Sequence, residues 1–259
     1  MKILVTVSEV AEADDEFEID GLSIDDRYLT YDLNEWDDYA IEEAVQISES
    51  RDDVEVVTVT IGPERAEETI RQGLAKGADR AVRVWDDSIE GSDLLDSNTK
   101  GELLAAVAEE EEPDLILAGV QSGDMAFAST GVALASTLGY EWGAVVNNLE
   151  LDGDMANVHR ELEGGVEELT EVELPAVLTI QTGINEPRYA SLRGIRQAQS
   201  KPLDVKAPED LGVELGESVL SLTSLEEPET ESNVELFEGG AEDSAGQLAN
   251  LLREKGVDA

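Results

Sequence analysis

Short apolar, β-branched runs alternate with stretches of helical periodicity through the first 150 residues of the chain. The runs predict strands at 2–8, 54–63, 79–85 and 113–119, and the periodic stretches predict helices at 37–50, 64–77, 99–112 and 125–139. Four strand–helix units in succession predict a doubly wound α/β domain, in which a mostly parallel sheet carries helices on both faces.

After Gly143 the pattern changes to strand-like runs joined by Asp-Gly and Gly-Gly turns, which predicts an antiparallel meander. The run PAVLTIQ (175–181) is apolar enough for a buried strand that returns to the core, and the residues that follow predict a loop and a short helix. We therefore expect one α/β domain at 1–203, an extended Pro-, Glu- and Ser-rich arm at 204–241 and a C-terminal helix at 242–259.

The C-terminal helix carries a narrow apolar face of Leu248, Leu251 and Leu252. A small helix beyond a long arm cannot bury such a face by itself. We expect it to dock onto another surface.

The composition is strongly acidic, with 61 Asp and Glu against 17 Lys and Arg and a net charge of −44. Such a charge excludes nonspecific nucleic-acid binding and argues against anionic membrane surfaces, because like charges repel. No run approaches eighteen apolar residues, so no transmembrane helix is predicted, and the strand-like start MKILVTVS does not resemble a signal peptide. The expected location is the cytoplasm.

The acids are spread along the whole chain and Lys is scarce. Distributed carboxylates suit a protein dissolved in concentrated salt, where screening over a few ångströms removes the cost of self-repulsion. This pattern favours a protein from a halophile. An ordinary acidic protein would explain the sign of the charge but hardly its size.

Residues with catalytic or metal-binding chemistry are sparse. Cys is absent, which excludes disulfides, thiolate metal sites and Cys nucleophiles. The lone His159 falls in the meander, where an exposed strand histidine is the expected role, and no Ser-His-Asp or HExxH pattern occurs. We predict neither catalytic residues nor a metal site, and interpret the chain as a binding protein or carrier.

Small residues follow three predicted strands, at the edge where doubly wound, Rossmann-like sheets bind ligands. Gly62, Gly119 and Gly123 would let the backbone approach a ligand. Donor side chains near the next helix suit a phosphate or ribose: Gln121, Ser122, Ser129 and Thr130. The alternative is that these glycines only make turns and that Thr130 packs within its helix.

Trp36 follows Asn34 and precedes the first predicted helix, so a large aromatic side chain lies near the ligand edge. Two roles remain open from the sequence. The indole either stacks on the ring of a ligand or acts as a hydrophobic staple against that helix.

The segment from Pro187 to Leu203 contains no Asp or Glu and holds Arg188, Arg193, Arg196 and Lys201. Because acids dominate the remaining surface, an acid-free segment of this length indicates a contact that the rest of the surface does not make.

Five segments together resemble the β subunit of electron transfer flavoproteins: NEWDDYAIEEAVQI, VTVTIGPERAEETIRQGLAKGADRAVRV, DLILAGVQSGD, VHRELEGGVEELTEVELPAVLTIQ and NEPRYASLRGI. The resemblance covers about 1–215 and, more weakly, the final helix. It implies an adenine nucleotide α-hydrolase-like fold and a heterodimer whose α subunit supplies most of the FAD site. It also implies an adenine nucleotide in the β subunit, either AMP in housekeeping types or a second FAD in Fix-like, electron-bifurcating types.

The same resemblance implies a set of nucleotide-binding residues: Thr6, Asn34, Thr60, Gly62, Gly119, Gln121, Ser122, Asp124, Ser129 and Thr130. Trp36 falls where relatives place an aromatic residue near the flavin. The chain departs from the family at Ser8-Glu9, where Lys-Arg or Lys-Gln is common. It also carries Ala128-Ser129-Thr130-Gly131 where relatives carry Asn-Gln-Thr-Gly or Gly-Gln-Thr-Gly, which removes one amide donor. The second change puts binding of the AMP type in doubt.

The acid-free segment matches the family's recognition loop, in which an exposed leucine, here Leu192, anchors in a pocket of a partner dehydrogenase. The implied partner-binding residues are Arg188, Tyr189, Leu192, Arg193, Ile195 and Arg196. The implied partners are acyl-CoA-dehydrogenase-like donors of fatty acid oxidation and a membrane quinone oxidoreductase, and the C-terminal helix is implied to dock on the α subunit. Alternatively, the protein's own acids hold Pro187 to Ser191, which would make Arg188 structural.

A stand-alone adenine-nucleotide-binding protein of the stress-protein type is the rival interpretation. It would explain the α/β half and its glycine loops. It would not explain the meander, the NEPRYASL segment or the terminal helix, which such proteins lack.

Overall fold

A computed structural model describes residues 1–90, 94–216, 218–227, 234–237 and 239–256. The chain divides into two compact units, Met1–Leu225 and Glu226–Ala259. Parts of the expected arm (217, 228–233 and 238) and the last residues of the expected C-terminal segment (257–259) lie outside the described residues.

The strands are β1 (Lys2–Thr6), β2 (Glu9–Ala13), β3 (Ile19–Asp20), β4 (Ser23–Ile24), β5 (Leu29–Leu33), β6 (Glu55–Ile61), β7 (Arg80–Val84), β8 (Leu115–Gly119), β9 (Glu141–Asp152), β10 (Met155–Leu162), β11 (Val166–Glu173), β12 (Ala176–Ile180) and β13 (Leu203–Lys206). The helices are α1 (Glu35–Ser50), α2 (Glu67–Lys76), α3 (Asp87–Glu90), α4 (Ser97–Glu111), α5 (Thr130–Leu138), α6 (Leu192–Ala198) and α7 (Ala241–Glu254).

Nine strands form one sheet in the order β11-β10-β9-β12-β8-β1-β6-β7-β13. Adjacent strands are parallel along the part of the sheet that runs β9-β12-β8-β1-β6-β7-β13. The remaining neighbours, β9 with β10 and β10 with β11, are antiparallel. The predicted α/β class, the antiparallel meander and the buried returning strand β12 are therefore confirmed.

Two apolar cores lie on opposite faces of the sheet, and β1 contributes to both. Ile3 and Val5 pack in the core that contains apolar residues of α1 and α2, whereas Leu4 packs in the core that contains those of α4 and α5. Alternate residues of a strand face opposite sides of a sheet, so a parallel strand covered by helices on both faces must be apolar throughout.

The chain leaves β1 toward β6 and β7 on one side and then crosses to β8 on the other side of β1. The connections after β1 and β8 therefore diverge. This reversal of strand order opens a crevice at the carboxyl ends of the two strands, the usual ligand position in open α/β sheets.

The fifth helix is shorter than the sequence predicts. The periodic stretch 125–139 predicts a helix along its whole length, but α5 begins only at Thr130. Ala126 and Ala128 both have φ of 51°, a left-handed conformation that an α-helix cannot include. Residues 123–125 instead form a turn, and Phe127 and Ala128 line the crevice ahead of the helix.

Two strand features differ from the sequence expectation or were missed by it. The arm was expected to begin at 204, but Leu203–Lys206 forms the edge strand β13, parallel to β7. The four residues Leu-Asp-Val-Lys form too short and too mixed a run to stand out as a strand in the sequence. The antiparallel ribbon of β2 and β5, which precedes α1, was not predicted.

The second unit contains α7, so the predicted C-terminal helix is confirmed. Two residues of its apolar face are exposed, Leu248 at 46 % and Leu252 at 36 %, whereas Leu251 is half-buried. Among the described residues, no helix is both long and apolar enough to cross a membrane.

Candidate functional site

A cleft opens where β1 and β8 end, with about 770 Å³ of empty space including its open mouth. Eight of the eleven expected cofactor residues line it: Thr6, Asn34, Gly119, Gln121, Ser122, Asp124, Ser129 and Thr130. The remaining three, Trp36, Thr60 and Gly62, lie outside its lining.

Asn34 joins the loops that form the cleft. Its backbone N–H donates to the carbonyl oxygen of Ser8 at 3.0 Å. Its side-chain Nδ2 donates to the Gln121 carbonyl at 2.9 Å, and its Oδ1 accepts from the Gly123 N–H at 3.2 Å. Because Asn34 is 1 % exposed, its amide mainly fixes the shape of the cleft wall.

Asp37 fixes the ends of β1 and β8, a role that the sequence analysis missed. One carboxylate oxygen accepts from the Ser8 N–H at 2.7 Å and the other from the Gly119 N–H at 2.9 Å. Burial raises the pKa of Asp37 to about 6, although the backbone N–H groups favour its charged form. An acid in the first turn of a helix was the available signal, but acids are too common in this chain for it to stand out.

The start of α5 forms part of the cleft wall through Thr130 and Gly131. Ser129 at the N-cap makes no capping hydrogen bond to this helix. Its hydroxyl instead lies 2.7 Å from the hydroxyl of Ser97. The N–H groups and the positive end of the helix dipole therefore favour an anion in the cleft.

Lys100 lines the same cleft and was also missed by the sequence analysis. Burial lowers the pKa of its ammonium group, and the negative charges of Asp124 and Asp37 oppose this shift. A single lysine inside a predicted helix gives no signal of a binding site without knowledge of how that helix packs.

The glycines of the expected site have different roles. A Cβ at Gly119 would lie 2.4 Å from Asp37 Oδ1, and a Cβ at Gly62 would lie 2.9 Å from Ala66 Cβ. These two glycines allow close packing of the protein itself. A Cβ at Gly123 would meet no atom within 4 Å, so only this glycine of the three faces open space.

The three expected residues outside the cleft are held by the protein. Thr60 is 1 % exposed, and its hydroxyl has no hydrogen-bond partner among the described residues. Trp36 is half-buried in the first turn of α1, and its Nε1 donates to Gln181 Oε1 at 3.2 Å. Since Trp36 lies within the helix, it is not a staple residue preceding it.

The acid-free segment 187–203 is fixed at its beginning by Arg188. The guanidinium donates through Nε to Glu42 at 2.8 Å and through Nη1 to Glu49 at 2.6 Å, both on α1. Burial alone would raise the pKa of Glu42, but the hydrogen bonds from Arg188 hold it below its usual value. Arg188 is therefore engaged by the protein's own acids, as the alternative interpretation of the segment required.

The same segment is fixed at its end by reciprocal contacts with α2. Arg71 Nη1 donates to the Ala198 carbonyl at 2.7 Å, which satisfies an acceptor at the end of α6. Lys201 Nζ donates to the Leu74 carbonyl at 2.9 Å near the end of α2. Between these contacts, a Cβ at Gly194 would lie 2.3 Å from the Ala75 carbonyl oxygen, so only glycine allows this approach.

The outer side of the segment is exposed. Tyr189 is 99 % exposed, Leu192 is 78 % exposed and Ile195 is 46 % exposed. Arg193 and Arg196 are also exposed, and neither forms an ion pair with another described residue. The structure thus brings apolar and cationic side chains together on one fixed support.

Among the described residues, no group of three or more His, Asp or Glu side chains is arranged so that it could hold a metal ion. His159 lies on β10 with its side chain 26 % exposed, and its Nε2 is 3.4 Å from Glu167 on β11. It lies outside the cleft lining.

Comparison with known proteins gives one family. Residues 21–211 match the electron transfer flavoprotein domain. The chain is 47 % identical to the electron transfer flavoprotein subunit beta of Methylophilus methylotrophus, over 98 % of each chain. It is 35 % identical to the subunit beta of Bradyrhizobium diazoefficiens over 99 % of this chain and 100 % of the relative, and 40 % identical to that of Homo sapiens over 77 % of each. The chain belongs to the electron transfer flavoprotein family as a β subunit, an electron carrier rather than an enzyme.

Proposed function

We propose that this β subunit assembles with an α subunit and holds an adenine nucleotide in the cleft at the ends of β1 and β8. The observation that carries the proposal is the convergence of eight expected residues on one cleft at the carboxyl ends of the parallel strands. Relatives that align over nearly the full chain bear the name of the same subunit, which supports a shared assembly.

The ligand is AMP or the AMP half of a second FAD. Both present a phosphate, which suits the uncapped start of α5, and both present a ribose, which suits the hydroxyl and amide groups of Ser122 and Gln121. The open space beside Gly123 leaves room for such a group. Ala128 and Ser129 stand where relatives carry Asn-Gln or Gly-Gln, which removes one amide donor, so the phosphate depends more on backbone N–H groups in this chain.

The electrons are carried by an FAD whose site comes mostly from the α subunit. When bound, its isoalloxazine accepts and returns the electrons. The contribution of this chain is to exclude water and to set the polarity around the flavin, with Trp36 as the residue expected near it. The bond from Trp36 to Gln181 fixes the orientation of the indole.

The docking surface for donors consists of Tyr189, Leu192, Arg193, Ile195 and Arg196. Leu192 is its centre, because it is the most exposed aliphatic residue of the segment and follows directly on Ser191, the N-cap of α6. The donors are acyl-CoA-dehydrogenase-like enzymes of fatty acid oxidation, and the acceptor is a membrane quinone oxidoreductase. Arg188 holds the surface in place rather than contacting the donor.

The C-terminal helix docks on the α subunit through Leu248, Leu251 and Leu252. Its exposed apolar residues support this proposal. The expected setting is the cytoplasm of a halophile, because 61 distributed acids are best tolerated where concentrated salt screens them.

Co-expression with an α subunit tests the assembly and the carrier role together. A yellow heterodimer that is reduced by a dehydrogenase is expected. A chain ending at Gly240 serves as the matched variant, and we expect it to give much less heterodimer. A colourless, stably monomeric full-length chain in concentrated salt would contradict the proposal.

A further inference from the structure

Lys100 lies where α4 and α5 are in backbone contact. It is in the first turn of α4 and directly precedes Gly101, at which a Cβ would be 3.1 Å from the backbone atoms Ala133 C and Leu134 N. The hydroxyl groups of Ser97 and Ser129 join the starts of the same two helices. Lys100 and the start of α5 therefore line the cleft together.

This position is unfavourable for a cation without an anion nearby. The first turn of a helix is the positive end of its dipole, and Lys100 lies beside the uncapped start of α5, whereas the carboxylate of Asp96 caps the start of α4. No carboxylate oxygen of the described residues is within 4.0 Å of its Nζ. Both oxygens of Asp37 accept from backbone N–H groups, and Asp124 accepts from the Met125 N–H at 2.6 Å.

Lys100 is also unlike the other cations of the chain. Over the described ranges, four Lys and Arg side chains form neither an ion pair nor a side-chain hydrogen bond: Lys100, Arg193, Arg196 and Lys255. The last three are exposed to solvent, whereas Lys100 is half-buried and lines a cleft. A partly desolvated lysine left without an acid, in a chain with 61 acids, indicates an anionic ligand.

We propose that the ammonium group of Lys100 binds the phosphate of the adenine nucleotide in the cleft, together with the N–H groups at the start of α5. Lys100 thereby makes the cleft selective for phosphorylated nucleotides over nucleosides. This inference rests on the proposed nucleotide function and assigns its phosphate contact to a specific side chain.

The test compares AMP with adenosine, by calorimetry on the full-length chain in concentrated KCl. The Lys100→Met variant should bind AMP about ten- to hundredfold more weakly and adenosine nearly as well as the wild type, because only the charge-assisted contact is lost. Lys100→Arg should keep most of the preference for AMP. Lys255→Met removes the same charge from an exposed site and should change neither affinity.

Three outcomes would overturn the inference. Equal losses of AMP and adenosine would show that Lys100 only supports the fold. Unchanged AMP binding by Lys100→Met would remove Lys100 from the site while leaving the proposed function intact. Failure of the wild type to bind AMP at all would overturn the inference and the proposed nucleotide site together.

A measurement on the wild type does not depend on the folding of a variant. Acylation of Lys100 by an amine reagent, followed by mass spectrometry, should be slowed by AMP and not by adenosine. The exposed Lys255 is the internal control and should react at the same rate throughout. An AMP-saturated chain whose Lys100 reacts at the unliganded rate would contradict the assignment.

Discussion

Arg188 and Glu42 form a two-point ion pair, with Arg188 Nε 2.8 Å from Glu42 Oε2 and Nη2 3.0 Å from Oε1. The Glu42 side chain is 5 % exposed, so its charge depends on this partner. The pair joins α1 to the start of the acid-free segment that carries Leu192. The position of the proposed docking surface is thus determined by an internal contact rather than by the donor.

Replacing Arg188 should destabilise the protein. We expect Arg188→Met to lower the free energy of unfolding by about 3 kcal/mol, because it leaves Glu42 buried and unpaired. The matched control is Arg193→Met, which removes the same charge from an exposed residue and should change stability by less than about 0.5 kcal/mol. Urea unfolding in concentrated salt measures both. Similar values for the two variants would show that the ion pair does not support the segment.

Leu192→Ala should weaken docking without changing the fold. Loss of a central apolar anchor typically costs about 2 kcal/mol or more, so the dehydrogenase concentration at half-maximal electron transfer should rise by roughly thirtyfold. Leu169, on β11, is 80 % exposed against 78 % for Leu192, which makes Leu169→Ala a matched control. Stopped-flow reduction of the heterodimer by a dehydrogenase gives the comparison. An unchanged value for Leu192→Ala would remove Leu192 from the docking surface.

The fold was predictable because the sheet leaves clear patterns in the sequence. A parallel strand covered on both faces is a continuous apolar run, as in β1 and β8, and the helices between such runs keep one apolar face. The edge strand β13 was not predictable because it has only four residues, and the β2–β5 ribbon because polar residues interrupt its apolar positions.

The cleft residues near strand ends were predictable because the ligand edge of an α/β sheet follows from strand order. Asp37 and Lys100 were not, because their importance depends on packing between helices distant in sequence. The same applies to Gly119, whose missing Cβ makes room for Asp37 and not for a ligand. Because the chain contains 61 acidic residues, nothing in the sequence distinguishes Asp37, whose carboxylate binds the ends of β1 and β8, from the other acids.

Asp37 should give the protein a characteristic pH dependence. Its pKa in the folded chain is about 6, above the ordinary value of 3.8, so the folded state binds more protons at this site than the unfolded state between these values. The contribution of Asp37 to stability therefore falls as the pH rises from about 4 to about 6. Relative to that of Asp37→Asn, the free energy of unfolding of the wild type should fall by up to about 3 kcal/mol over this pH range, at 1.36 kcal/mol for each pKa unit.

The control for this prediction is Asp52→Asn, which removes an exposed acid. Its stability relative to the wild type should change much less between the same pH values. A difference between the wild type and Asp37→Asn that stays constant from pH 4 to pH 6 would show that Asp37 remains charged throughout.

Salt should stabilise the chain. A net charge of −44 repels itself at low ionic strength, and the screening length falls from about 10 Å at 0.1 M salt to about 3 Å at 1 M. We expect the urea midpoint to rise steadily between about 0.5 and 2 M KCl and refolding to fail at lower salt. A midpoint that does not depend on KCl would contradict adaptation to concentrated salt.

The nucleotide content of the purified heterodimer tests the central claim most directly. Denaturation releases the bound molecules, and chromatography against standards counts FAD and AMP for each heterodimer. The cleft at the ends of β1 and β8 predicts one adenine nucleotide in addition to the FAD of the α subunit, found as one FAD with one AMP or as two FAD. A heterodimer that releases one FAD and no other adenine nucleotide would contradict the account.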